Sequence, residues 1–253
     1  MAQLILYGGM VLAGFVAGFI NTLAGSGSLV TLPLLMMAGL PAGVANGTNR
    51  IGVLSQNLTA ARTFSVEDQM DIRGVFYLGL PAIIGSIIGA QIAVNFNEEV
   101  MRKTIGALMV VLLVVILIEP KRWLVGSLDR VTGFPNWWQM VLFLVIGLYG
   151  GFIQAGVGIF LLTGLVLGVG YDLVRANAVK VGIILLFSIS ALVVFFINGQ
   201  VNFIYGIIVA LGQIAGGWVG AKVAVEKGAV WVRRLLVLVV VISSLNLLGV
   251  FKW

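Results

Sequence analysis

Ten apolar runs separated by short polar breaks fill the chain, at about 4–23, 28–40, 44–63, 74–95 and 100–118, then 138–154, 158–170, 176–197, 202–224 and 232–251. Most approach the ~20 residues that an α-helix needs to cross a hydrocarbon core. The runs 28–40 and 158–170 are too short. As a helix, 13 residues extend only about 20 Å against a core of about 30 Å. Each follows a glycine-broken turn, AGSG at 24–27 and AGVG at 155–158. The pattern predicts an all-α integral membrane protein of eight to ten crossings. The first two segments of each half either dip to mid-membrane and return, or cross as broken helices.

The two sets of five runs resemble each other. GFVAGFIN at 14–21 matches GLYGGFIQ at 147–154, and ANGTNRIG at 45–52 matches ANAVKVG at 176–182. GSIIGAQIA at 85–93 matches GGWVGAKVA at 216–224, and Arg102-Lys103 and Arg233-Arg234 open the fifth runs. The matches keep one order at a nearly constant offset, which marks an internal repeat. The division is therefore 1–118 for a first transmembrane repeat, 119–136 for a polar linker and 137–253 for a second repeat. An odd number of runs per half turns the second repeat upside down relative to the first.

Composition excludes the soluble alternative. Of the 253 residues 60% are hydrophobic and 9% charged, with a mean hydropathy of +1.14, whereas soluble domains carry about 25% charged residues. Cysteine and histidine are absent, so thiol chemistry, disulfides and the commonest metal ligand drop out. The net charge of +6 does not indicate nucleic acid, because the basic residues lie between apolar runs. Arg62, Arg73, Lys121, Arg122, Arg130, Arg175, Lys222, Lys227, Arg233 and Arg234 fall on one side, against Arg102, Lys103 and Lys252 on the other. The positive-inside rule then puts the linker in the cytoplasm and both termini outside. Trp123, Trp137, Trp138 and Trp231 fall at the expected inner boundary, where indoles prefer to sit. The first run lacks a basic leader and reads as a retained membrane segment.

The candidate site lies at the breaks. Glycines spaced by four, as in Gly14/Gly18, Gly147/Gly151 and Gly85/Gly89, serve first to pack helices closely. The AGSG and AGVG turns lack the Gly-Lys-Ser/Thr of a phosphate loop. In a membrane they free backbone N–H groups at the next helix N-terminus, which suits an anion; the plainer alternative is a tight turn. Asn21, Thr22, Ser26, Ser28 and Gln154 surround the turns. Arg50 and Lys180 lie just inside long apolar runs at corresponding places, while all nine acids fall in loops or at segment ends. A cation near the bilayer centre costs about 2.5–3.5 kcal/mol. That cost is offset by water, carbonyls or a bound anion, or avoided if the side chains snorkel to the interface. Asn46, Thr48, Asn49 and Asn177 add neutral donors.

The run GFxxGFINTLAGSGSLVTLPLL with ANGTNR, GGFIQAGVGIFLL and RANAVKV resembles the TauE/SafE sulfite exporter family over nearly the whole chain. The resemblance implies movement of sulfite, organosulfonates or other small sulfur-containing or carboxylate anions across a bacterial plasma membrane. Its signature positions fall on Asn21, Thr22, Gly25, Gly27, Pro33, Asn46, Thr48 and Asn49, and on Gly156, Gly158, Asn177 and Lys180. Val157 and Val179 depart from the paired pattern, which predicts a drier second half.

The expectation is a permease working by alternating access between two inverted repeats around a midplane site. Helix N-termini at 25–28 and 156–159 meet a small anion, and Arg50 and Lys180 supply charge. A passive anion channel is the rival. An embedded enzyme is weaker, since general bases and metal ligands are scarce. No catalytic residue, metal or cofactor is called for. The partners expected are the anion and the lipid bilayer, and a homo-oligomer is compatible with the sequence.

Overall fold

A computed structural model describes residues 2–117 and 133–247, with the backbone alone for 2, 4, 5, 110, 112–117 and 228–247. Of the linker 119–136, only 133–136 lies within the described residues. The elements are α1 (Ala2–Ala24), α2 (Ser28–Met37), α3 (Ala42–Val66), α4 (Ile72–Val94) and α5 (Glu98–Leu117). They are followed by α6 (Trp137–Phe152), α7 (Val157–Thr163, passing into a π-helical turn over Gly164–Val169), α8 (Leu173–Ile197) and α9 (Phe203–Leu247). No strand occurs among the described residues.

The helices begin and end where short-range chemistry says they should. Asp71 caps α4 by accepting from the Gly74 N–H at 3.1 Å, and Asp172 caps α8 by accepting from Val174 and Arg175. Asn136 and Gln139 form a reciprocal capping box at the start of α6. Each device satisfies N–H groups that a helix leaves open. From α5, the Glu98 carboxylate accepts from Ala42 N at 2.7 and 2.9 Å and so covers the start of α3.

Among the described residues four stretches are long and apolar enough to cross a membrane: Leu6–Ala24, Ile72–Val94, Leu173–Ile197 and Phe203–Lys227. They account for part of the eight to ten crossings expected, since residues 228–247 and the end of α5 lie outside the side chains described. The other described helices fall outside the four for physical reasons: α2, α6 and α7 are short, and α3, with 25 residues, carries a buried polar stripe that lowers its hydropathy. The last two apolar runs also form one helix instead of two. In the first half, Asn95 closes α4 and Asn97 starts α5 by accepting from Val100 N. Glu226, Lys227 and Gly228 stand at the corresponding place, and two good helix formers there let α9 run on for 45 residues.

Contacts fix the directions. Tyr7 meets Tyr205 edge-on at 6.4 Å, and Gly14 and Gly18 lie against the backbone of Val209 and Gln213. Helix α1 therefore runs parallel to α9. Gly147 and Gly151 lie in the same way against Ala82 and Ser86, so α6 runs parallel to α4. Without a Cβ in the seam the backbones touch, and close packing replaces the hydrophobic drive that lipid does not provide. Ser86 Oγ lies 2.8 Å from Ser190 Oγ, and Gly79 and Gly182 face Leu186 and Val75; α8 follows α4. Gln213 and Gln56 meet Gly52 and Gly217, so α3 follows α9.

The short helices return. Leu35 of α2 packs with Met10, Ala45 and Val209, beside Tyr7, Leu40 and Tyr205. The α1–α2 hairpin therefore comes back to the end at which α1 starts. Gln139 at the start of α6 donates to Gly168 O at 3.1 Å, so the α6–α7 hairpin also returns to its own end. Both short second helices thus fold back along the first helix of their half.

Candidate functional site

The two hairpin tips enter from opposite ends of the bundle and meet. Gly158 N donates to Gly25 O at 3.2 Å. Gly25 (φ +75°) and Gly156 (φ +69°) both hold left-handed conformations that favour glycine. A Cβ at either Gly25 or Gly158 would collide with the other residue's backbone, so the AGSG and AGVG turns are in van der Waals contact through glycine alone.

Around the first tip the polar side chains interlock. Asn21 Nδ2 donates to Gln56 Oε1 at 2.6 Å, and Gln56 Nε2 donates to Thr22 Oγ1 at 2.9 Å. Gly27 N donates to Asn21 Oδ1 at 3.3 Å. Asn49 joins α3 to α2, accepting from Thr31 Oγ1 at 2.6 Å and donating to Ser28 Oγ at 2.9 Å. At the second tip Gln154 Nε2 donates to Ser188 Oγ at 2.8 Å. Ser26 is buried too, at 4% exposure.

Both buried cations close the ends of helices belonging to the other half. Arg50, wholly buried, donates from Nη1 to Gly150 O at 3.2 Å and from Nη2 to Gly151 O at 2.5 Å. Its guanidinium lies 4.6 Å from the centre of the Phe195 ring. Asn46 Nδ2 adds a bond to Phe152 O at 2.8 Å. Lys180, also wholly buried, donates to Asn21 O at 3.2 Å, Thr22 O at 2.8 Å and Asn177 Oδ1 at 2.7 Å. The carbonyls belong to the last turns of α6 and α1, where the helix dipole is negative; Asn21 O also accepts from Gly25 N at 2.8 Å. Among the described residues neither cation is paired with a carboxylate, and neither reaches the bundle surface. Side chains snorkelling to the interface would instead be exposed at their charged ends.

The expected site residues do not form one cluster. Lys180 and Phe195 are fifteen residues apart in α8, roughly 22 Å along the axis, and Arg50 sits over Phe195. Lys180 with Asn21, Thr22 and Asn177 forms one group, and Arg50 with Asn46 forms another. Gly25, Ser26, Gly27, Ser28, Asn49, Gln154, Gly156 and Gly158 lie at the tips. Thr48 faces away and accepts from Asn202 N at 2.8 Å, at the start of α9.

Several polar residues escaped the motif reading. Gln56 and Asn57 continue the stripe that begins Asn46, Asn49, Arg50 at helical spacing, and both are wholly buried. Extending that i+3/i+4 pattern past the motif would have found them. Thr31, Ser188 and Gln213, also buried, carry no comparable signal. Asp71 caps α4 at a segment end, as expected of the acids, yet is 5% exposed and accepts from Tyr171 Oη at 2.6 Å.

A bundle with membrane-length apolar helices and a buried polar centre at two facing hairpin tips defines a membrane transporter. The chain belongs to the family described as Sulfite exporter TauE/SafE, whose model matches residues 10–247. It is 28% identical over 240 residues to a probable membrane transporter protein, ORF9, of a Sinorhizobium species, covering 95% of this chain and 91% of the relative. It is 27% identical over 255 residues to the probable membrane transporter protein YfcA of Escherichia coli K12, covering 98% and 91%. A probable membrane transporter protein of Haemophilus influenzae is 26% identical over 226 residues, covering 89% and 88%. No solved structure matches the chain.

Proposed function

We propose that the protein is a permease for a small anion such as sulfite, an organosulfonate or a short carboxylate, working in a bacterial plasma membrane. The observation that carries this reading is the pair of wholly buried cations, Arg50 and Lys180, with no carboxylate partner among the described residues. Uncompensated positive charge in a low-dielectric interior attracts anions and repels cations. Asn21, Thr22, Ser26, Ser28, Asn46, Asn49, Gln154 and Asn177, with the glycines at 25, 27, 156 and 158, are the polar groups such an anion passes.

The transport cycle is alternating access by two inverted repeats, 1–118 and 137–253, joined by a cytoplasmic linker, with both termini outside. Support comes from the matched pairs: α1 along α9 and α6 along α4, two returning hairpins, and a cation from each half on the other half's hairpin. Burial of the tips suits an occluded state from which either hairpin can withdraw. The test is flux in proteoliposomes with sulfite, thiosulfate, methanesulfonate and acetate. Saturable uptake stimulated by anion on the far side is expected. Linear, unsaturable flux makes the protein a channel, and no flux with any of the four removes the proposed substrate class.

A further inference from the structure

The two buried cations differ in what they have left to give. Lys180 has three N–H donors, and the structure uses all three: Asn21 O, Thr22 O and Asn177 Oδ1. Arg50 has five, of which Nε lacks a partner although it is wholly buried, while Nη1 and Nη2 hold Gly150 O and Gly151 O. An anion can approach Arg50 by its Nε edge without breaking a bond. It can reach Lys180 only by displacing an acceptor.

We infer that Lys180 is a positioning residue, a clasp that pins the α1–α2 hairpin to α8, and that a passing anion releases the hairpin by competing for its ammonium group. Arg50 clasps the α6–α7 hairpin to α3 but keeps a free edge, so it is the cation that receives the anion while the tips are closed. Lys180 holds carbonyls of α1 and Arg50 those of α6, so an anion on the free edge of Arg50 displaces none of the acceptors of Lys180. The anion meets them in succession, and its arrival at Lys180 exchanges a carbonyl–ammonium bond for an anion–ammonium bond. Asn177 Nδ2, buried and without a partner, stands beside Lys180 as a second donor for the incoming anion. Two bonds to α1 carbonyls hold the tip, so their loss is transmitted directly to the residues at 25–27. The competition, though not the clasp, rests on the permease reading.

The chain contains no cysteine, which makes single-cysteine labelling free of background. Ser26→Cys reports on the first tip and Ala155→Cys on the second; both positions are at most 4% exposed. Without any added anion, Lys180→Met should speed labelling of Cys at 26 by a small thiol reagent roughly tenfold or more, the change expected when a charge-assisted bond is lost. It should leave position 155 slow. Arg50→Met should do the reverse. A milder Lys180→Gln, which keeps an N–H donor, serves if the Met variant fails to insert, and should give a smaller rise confined to position 26. Equal rises at both tips in either variant mean general loosening, and no rise at the tip held means no clasp; either result overturns the inference. Sulfate, methanesulfonate and acetate, which do not react with thiols, are then added to the Ser26→Cys protein. Acceleration by at least one supports competition, and acceleration by none removes it. Absence of transport in liposomes would remove the permease reading while leaving the crosswise labelling pattern intact.

Discussion

At Arg50 and Lys180, the expense of burying a charge is met by carbonyl dipoles instead of carboxylates. Four backbone oxygens at two helix ends do the work that an ion pair does in most interiors. The arrangement keeps the net charge of the centre positive while leaving no donor of Lys180 idle. If these groups serve transport, Arg50→Gln and Lys180→Gln should each weaken sub-saturating anion uptake roughly tenfold or more, equivalent to about 1.5–3 kcal/mol for a charged hydrogen bond. Insertion and elution volume in detergent should be preserved. Undiminished uptake by the double variant would leave the two cations a structural role alone. The glycine contact between the tips makes a second demand at single-residue scale. In Gly158→Ala the added Cβ meets the Gly25 backbone, which cannot move aside as a flexible side chain could. Overpacking of this kind costs about 1–3 kcal/mol, so the thermal midpoint should fall. An unchanged midpoint would show that the tips already have room between them.

Among the helices, the glycine seams separate positions that look alike in sequence. Gly9 and Gly14 both lie in α1, yet nothing lies within 4 Å of a Cβ at Gly9, whereas one at Gly14 meets Val209 O. Gly9→Leu should therefore leave a monodisperse protein on size exclusion, while Gly14→Leu should force α1 off α9 and yield aggregate. Equal behaviour of the two variants would contradict the parallel packing of these helices. The breaks at 24–27 and 155–158 and the short second runs were legible because glycine and run length act locally. The polar stripe of α3 was legible only as far as Arg50, although the same spacing leads on to Gln56 and Asn57. The continuity of α9 could be read only by comparing Glu226-Lys227-Gly228 with Asn95-Phe96-Asn97 as helix formers against caps. The crosswise capping was out of reach, since Arg50 finds carbonyls 100 and 101 residues away and Lys180 finds its own 158 and 159 away. Nothing in an apolar helix announces which distant helix end it will cover.

For the molecule as a whole, the distribution of charge makes a prediction about both orientation and energy source. The excess of Lys and Arg on one side predicts that Cys introduced at Asn136 resists an impermeant thiol reagent in intact cells, while Cys at Gln3 reacts. The opposite labelling would invert the protein in the membrane. Energy coupling follows from the sign of the interior. Proton-driven carriers commonly pass protons through intramembrane Asp, Glu or His, and this chain has no His. The buried acid among the described residues is Asp71. Its two oxygens are taken by Gly74 N and Tyr171 Oη, which makes it a cap and a tie between α4 and the segment before α8. Arg50 does not deprotonate in proteins, and Lys180 holds three acceptors that a neutral amine could not all satisfy. Transport should therefore run on the anion gradient, on exchange, or on a proton carried by a weakly acidic substrate. Neutralising Glu119, Asp172 and Glu226 one at a time should leave pH-driven uptake in proteoliposomes coupled as before. Asp71→Asn should lower thermal stability, as should Tyr171→Phe, but without uncoupling. If any of these acid-to-amide variants binds substrate normally and yet takes it up without regard to the pH gradient, a carboxylate does carry the proton, and the two buried cations are not the whole of the coupling mechanism.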